Sequence, residues 1–131
     1  MSSAAPLQGA YDRDAPWPSE VRLFRDEARL EVDFQDGAKF SYAAEYLRVE
    51  SPSAEVQGHG PNEKKIVAGR RHVKIDSVEP VGNYAVRIVF DDKHDSGIFS
   101  WQYLYELGAK HDEKWKTYLA GLLFRGLSRD P

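Results

Sequence analysis

The stretch AVRIVFDDKHDSGIFSWQYL, residues 85–104, decides the fold. With Tyr84 in front of it, Tyr84–Phe90 alternates so that Tyr84, Val86, Ile88 and Phe90 share one face of a strand. The polar run Asp91–Ser96 makes a turn, Gly97–Ser100 returns as a second strand, and Trp101–Leu107 has helical character. Gly108 is expected to end that helix as a C-terminal glycine. An earlier stretch of the same length, RLEVDFQDGAKFSYAAEYLR (residues 29–48), aligns with it loosely. Phe34 falls against Phe90, Phe40 against Phe99, Tyr42 against Trp101, and the pair Tyr46-Leu47 against Tyr103-Leu104. Two readings follow: an internal pseudo-repeat of a three-stranded meander plus helix, or two unrelated amphipathic hairpins with the same binary pattern.

Working outward, Val21–Phe24 is a short strand and Arg25–Ala28 a turn. Arg29–Phe34 is a half-buried strand with Leu30, Val32 and Phe34 inward. Gln35-Asp36-Gly37 is a hairpin turn, Ala38–Tyr42 a third strand, and Ala43–Arg48 a short helix. In the second half, Val73–Glu79 supplies the first strand and Pro80–Asn83 its turn. Between the halves, residues 51–71 are rich in Ser, Pro, Gly and charge and form a long loop. Near the end, Trp115, Tyr118, Leu119, Leu122 and Leu123 recur at helical spacing over His111–Leu127. That helix packs on the core or, with Phe124 and Leu127 widening the stripe, meets a partner. The expected fold is α+β: a mostly antiparallel sheet of about six strands built from two meander-plus-helix units, with a C-terminal helix. Residues 1–16 are expected to be a flexible tail, 17–127 one domain, and 128–131 a second tail.

Composition narrows the function. The 131 residues contain no cysteine, which removes disulfides, thiolate metal sites and cysteine nucleophiles. The net charge of −3 makes nucleic acid an unlikely partner. No apolar run approaches the roughly 20 residues a membrane span needs, and Met1–Ala10 lacks the pattern of a signal peptide, so a cytoplasmic location is expected. No Walker loop, GxSxG elbow or HExxH is present.

The segments LEVDFQDG, LRVESPSAEVQGHGP (residues 47–61) and VEPVGNYAVRIVFDDKHDSGIFSWQYLYELG (residues 78–108) resemble the gamma-butyrobetaine hydroxylase-like N-terminal domain family, over roughly residues 17–110. The resemblance implies a stand-alone bacterial member of unknown function. The same domain is also fused ahead of the oxygenase domain in gamma-butyrobetaine and trimethyllysine hydroxylases, and a related copy ends some P-loop iron–sulfur carrier proteins. In the hydroxylases, iron and 2-oxoglutarate sit in the separate oxygenase domain, which is expected to be absent here. Their N-terminal domain holds a structural zinc through three cysteines, just after a Leu-Arg pair, and one histidine. The matching positions here are Ser51, Ser53, Val56 and His94. Two hydroxyls and a valine cannot replace three thiolates, so a degenerate site without metal is expected.

His94 stands among Asp91, Asp92 and Asp95, either as the anchor of a mixed His/carboxylate site or at a turn whose side chains cap their own backbone. His59, between two glycines, is either a ligand-binding imidazole or a loop tip, and Arg48, Ser51, Ser53 and Glu55 could line a polar pocket beside it. Lys64, Lys65, Arg70, Arg71, His72 and Lys74 form a basic cluster, for an anionic partner or simply solvated. Trp101, Tyr103, Tyr105 and Tyr84 are core aromatics or an aromatic cage for a quaternary ammonium. The candidate binding residues are thus Arg48, His59, Asp92, His94 and Trp101, with no catalytic set and no cofactor. The expected function is that of a non-enzymatic binding or scaffold module, with an unidentified protein partner or a homo-oligomer. The alternative is an accessory factor in iron–sulfur or metal handling.

Overall fold

A computed structural model describes residues 16–58 and 64–131. Strands β1 (Pro18–Phe24), β2 (Arg29–Phe34) and β3 (Lys39–Ala43) form one antiparallel sheet in that order, followed by helix α1 (Ala44–Val49). Strands β4 (Ile75–Val81), β5 (Ala85–Phe90) and β6 (Ile98–Ser100) form a second, followed by α3 (Trp101–Ala109). A single turn of helix, α2 (Ala54–Gln57), lies inside the segment expected as a loop, and α4 (His111–Phe124) follows α3 directly. The architecture is α+β, made of two meander-plus-helix units, with two separate three-stranded sheets where one sheet was expected.

The alternating patterns select the buried faces as predicted. In β2, Leu30, Val32 and Phe34 are buried; in β5, Val86, Ile88 and Phe90 are buried, joined by Ala85, whereas Tyr84, expected on the same face, lies in the turn before the strand and is half-buried. The edge strands β1 and β4 each carry a proline, Pro18 and Pro80, and an irregularity of register near their N-terminal ends. Both devices suit a strand with one unpaired side and discourage edge-to-edge association.

The two units share one core, which draws on both sheets and on α1 and α3. Their relationship is a pseudo-two-fold one. With Ala44 and Trp101 as the first residues of α1 and α3, Tyr46 is equivalent to Tyr103 and Glu50 to Leu107. The Tyr46 hydroxyl donates to the Leu107 carbonyl at 2.7 Å, and the Tyr103 hydroxyl donates to the Glu50 carbonyl at 2.6 Å. Each helix thus satisfies a backbone carbonyl at the end of the other, which an isolated helix leaves without a partner. The same equivalence corrects part of the sequence alignment. Tyr42 matches Phe99, not Trp101, because Tyr42 still belongs to β3 whereas Trp101 opens α3.

Gly108 does not stop α3; the helix runs through it to Ala109. A Cβ at Gly108 would stand 2.3 Å from the Phe40 ring, so this glycine lets helix and β3 approach closely. Residues 128–131, expected as a tail, run beside residues 69–71, with the Gly69 and Arg71 N–H groups donating to the carbonyls of Ser128 and Arg129. Helix α4 divides its apolar stripe: Tyr118 and Leu122 pack on Val49 and residues 66–68, while Leu123 and Phe124 are 82% and 87% exposed. Among the described residues no helix is long and apolar enough to cross a membrane.

Candidate functional site at the second hairpin turn

The end of α1, the turn of α2 and the β5–β6 turn meet around His94. Each arrives there for a local reason. Asp92 Oδ1 accepts the His94 N–H at 3.1 Å, an Asx-type turn that also places Lys93 at φ +74°. Ser53 caps α2, its Oγ accepting the Glu55 N–H at 3.2 Å. That turn presents Glu55 toward the imidazole.

His94 is 5% exposed and uses both ring nitrogens. Nδ1 lies 3.0 Å from Glu55 Oε1, and Nε2 lies 2.9 Å from Ser51 Oγ. A carboxylate only accepts, so the neutral ring carries its proton on Nδ1, and Nε2 accepts from the Ser51 hydroxyl. Burial is the largest influence on this histidine and lowers its pKa; the charge of Arg48 adds to that, and Glu55 and Asp92 oppose without cancelling it. Ser51 Oγ also accepts the Ser53 N–H, Ser53 Oγ bonds Ser96 Oγ at 2.7 Å, and the Gln57 amide donates to the Ser51 carbonyl.

A second layer lies beneath. The Nε groups of Arg48 and Arg70 both donate to Asp92 Oδ2 at 2.8 Å. Burial works against the Asp92 carboxylate, but the Arg48 hydrogen bond, the His94 N–H and the two arginine charges outweigh it and hold its pKa below the ordinary range. Arg48 Nη1 is buried with no hydrogen-bond partner.

The order Ser51, His94, Glu55 has the connectivity of a nucleophile, a base and an orienting acid. Its environment differs from that of a catalytic triad in one decisive respect: Ser51 has no exposed surface, and a Cβ on Gly97 would stand 2.4 Å from its Oγ. An electrophilic carbon has no path to that oxygen in this conformation.

The positions that resemble the zinc ligands do converge: Ser51 touches His94, Ser53 is bonded to Ser51, and Val56 is buried. The residues do not fit zinc. Both imidazole nitrogens and both hydroxyls are occupied by one another or by neighbouring protein groups, and Val56 offers no donor atom. Among the described residues no group of three or more His, Cys, Asp or Glu side chains could hold a metal ion.

The remaining candidates separate. His59 lies outside the described residues. Trp101 sits apart, its indole N–H donating to the Asn83 carbonyl. The proposed cage is not assembled: Tyr105 packs on Phe34 and Phe40 and bonds Asp36, while Tyr103 packs on Phe99. Within the basic cluster, Lys64 pairs with Glu50, Arg70 with Asp92 and Arg71 with Asp130. Sequence reasoning reached Arg48, Ser51, Ser53, Glu55, Asp92 and His94. It missed Ser96 and the Arg70–Asp92 pair, because no local pattern connects residues so far apart in the chain, and it missed Gln57, whose amide reaches back to the Ser51 carbonyl six residues earlier.

A family model described as gamma-butyrobetaine hydroxylase-like, N-terminal, matches residues 21–105. Two proteins of known solution structure are similar over most of their length. One is 45% identical, with a TM-score of 0.77, over 89% of this chain and 92% of its own. The other is 41% identical, with a TM-score of 0.78, over 98% and 92%. A crystal structure of a DUF971-family protein of unknown function from Acidithiobacillus ferrooxidans is 41% identical, with a TM-score of 0.59, over 70% of this chain and 92% of its own. No curated protein matches the chain.

Proposed function

The chain belongs to the gamma-butyrobetaine hydroxylase-like N-terminal domain family, and from that premise we propose that it is a non-enzymatic binding module that engages a protein partner through the outer face of α4. The observation that carries this reading is the exposed apolar end of the helix. Leu119, Leu123, Phe124 and Leu127 lie exposed along and just beyond α4, and Leu123 and Phe124 are the most exposed large apolar side chains described. Isolated exposed apolar residues are ordinary, but several together on one helix mark an interaction surface. The polar site around His94 supports the same reading from the other side: both His94 nitrogens and the Ser51 and Ser53 hydroxyls are spent on one another or on neighbouring protein groups, and Ser51 is enclosed.

The test compares the wild-type protein with Leu123→Asp and Phe124→Asp as bait and in light scattering. Because both side chains face solvent, the variants should keep the wild-type melting temperature. A partner or a self-associated form should be present with wild type and lost with the variants. Equal behaviour of all three proteins would remove α4 from the proposal, and a turnover abolished by His94→Ala would overturn the non-enzymatic reading itself.

The metal-handling alternative rests on the convergence of Ser51, Ser53 and His94 at the position where relatives are expected to hold zinc. Elemental analysis of untagged protein separates the two readings. Zinc or iron should stand far below one equivalent; a stoichiometric metal lost in His94→Ala would favour the alternative.

A further inference from the structure

Residues 128–130 occupy a built site, and its features are those of a receptor for arginine. Arg129 Nε and Nη2 donate to Glu45 Oε2 and Oε1 at 2.9 and 2.7 Å, a two-pronged pair. Glu45 is 5% exposed. The Arg129 guanidinium also stands over the Trp115 ring, 5.2 Å from its centroid. On either side, Gly69 N–H and Arg71 N–H donate to the Ser128 and Arg129 carbonyls, and Arg71 Nε meets Asp130 Oδ1 at 2.5 Å. Gly69 holds φ +71°, and a Cβ there would stand 3.4 Å from Pro131 Cα, so its backbone lies close against the docked segment.

Two further facts decide what this arrangement can do. No side chain of residues 128–131 belongs to either apolar cluster, so the segment is held by polar contacts and by the face of one ring, and it can leave without opening the core. Its departure would uncover the Glu45 carboxylate, 5% exposed beneath the segment, and leave both of its oxygens without the donors that now satisfy them. The vacated site therefore selects a planar, two-pronged cation. Lysine offers a single point charge and cannot satisfy both oxygens in the same way.

We infer that the groove formed by Glu45, Trp115 and residues 69–71 is an arginine-recognition site, which the chain's own 128–130 segment fills and which an extended arginine-bearing segment of a partner protein enters by displacing it. Arg71 adds a preference for an acidic residue directly after the arginine. The resident segment is tethered next to α4, so its effective concentration is on the order of millimolar, and an incoming segment must compete with it.

The experiment uses the 131-residue chain carrying Arg129→Ala and a fluorescent peptide with the sequence of residues 126–131, GLSRDP. The variant should bind this peptide saturably, at least about tenfold more tightly than wild type does, whose own segment competes. Replacing the peptide's arginine with lysine should weaken binding by about tenfold, and with alanine should abolish it. Arg129→Lys serves in the same assay if Arg129→Ala does not fold. Equal binding of the arginine and alanine peptides, or no binding to a folded variant, would overturn the inference and leave the segment a purely structural brace.

Discussion

His94 shows how a single residue can be polar, buried and yet satisfied. Its two nitrogens face Ser51 and Glu55, with Arg48 and Asp92 nearby and the Phe90 ring 6.0 Å away. Because its pKa is depressed in the fold, the unfolded chain takes up a proton that the native chain refuses. An unfolded histidine titrates near about 6.5, so the contribution to stability is intact above that pH and declines as pH falls from there toward the depressed native value. Melting curves from about pH 7.5 down to about pH 5.5 should show a falling midpoint, and His94→Gln should flatten that slope. A slope unchanged by the substitution would place the titration elsewhere. The carboxylates held low by arginine, Asp33 and Asp92 among them, act in a separate and more acidic window: their stabilisation is present above about pH 4 and is lost as pH falls through their depressed native values.

At the scale of the element, the helices begin differently. Ser100 caps α3, its Oγ accepting the Tyr103 N–H at 3.0 Å, whereas Ala43 stands at the equivalent place before α1 with no side-chain bond to give. Ala43 is exposed and already has the extended backbone of a cap, φ −67° and ψ 145°. Ala43→Ser should therefore raise stability by about 0.5–1 kcal/mol, measured by denaturant unfolding; a loss would mean the hydroxyl meets a different environment from that of Ser100. Gly108 makes the opposite point. Gly108→Ala drives a methyl into the Phe40 ring and should cost about 1–3 kcal/mol, with partial recovery when Phe40→Leu is added. These two positions also mark where sequence reading succeeded and failed. The strands were legible because burial on one face imposes a period of two, and Leu30, Val32, Phe34, Val86, Ile88 and Phe90 obey it. Gly108 was misread as a stop because a glycine needed for close packing and one needed for a left-handed cap look alike in one dimension. The His94 site was legible in its members, His94, Asp92, Ser51 and Ser53, but not in its bonding: nothing local in the sequence tells Ser96 that it will meet Ser53.

For the whole molecule, the reciprocal tyrosines join the two units. Tyr46→Phe and Tyr103→Phe should each cost about 1 kcal/mol, leaving a carbonyl at the end of the opposite helix without its donor. Because each bond ties one unit to the other, unfolding should remain a single transition in both variants; two resolved transitions would show that the units fold independently. Little of this coupling could be read in advance. The repeat was visible as a pattern, but the contact between its copies depends on which side of the sheets each helix takes, and that is settled only in three dimensions.

The close contact between Ser51 and Gly97 has a counterpart. Under the equivalence of α1 with α3, Ser51 corresponds to Gly108 and Gly97 to Phe40, and Gly108 and Phe40 also touch. The molecule therefore has two homologous corners with opposite contents. One holds a glycine against a serine and keeps a histidine at its centre; the other holds a phenyl ring against a glycine and is sealed by Phe34, Phe40 and Tyr105. Had two identical chains formed this pair, both corners would have been bound to the same residues, and any change would have struck both at once. Joined in one chain, they differ in content: one corner is closed by aromatic rings, and at the matching place the other encloses a hydrogen-bonded polar cluster around His94.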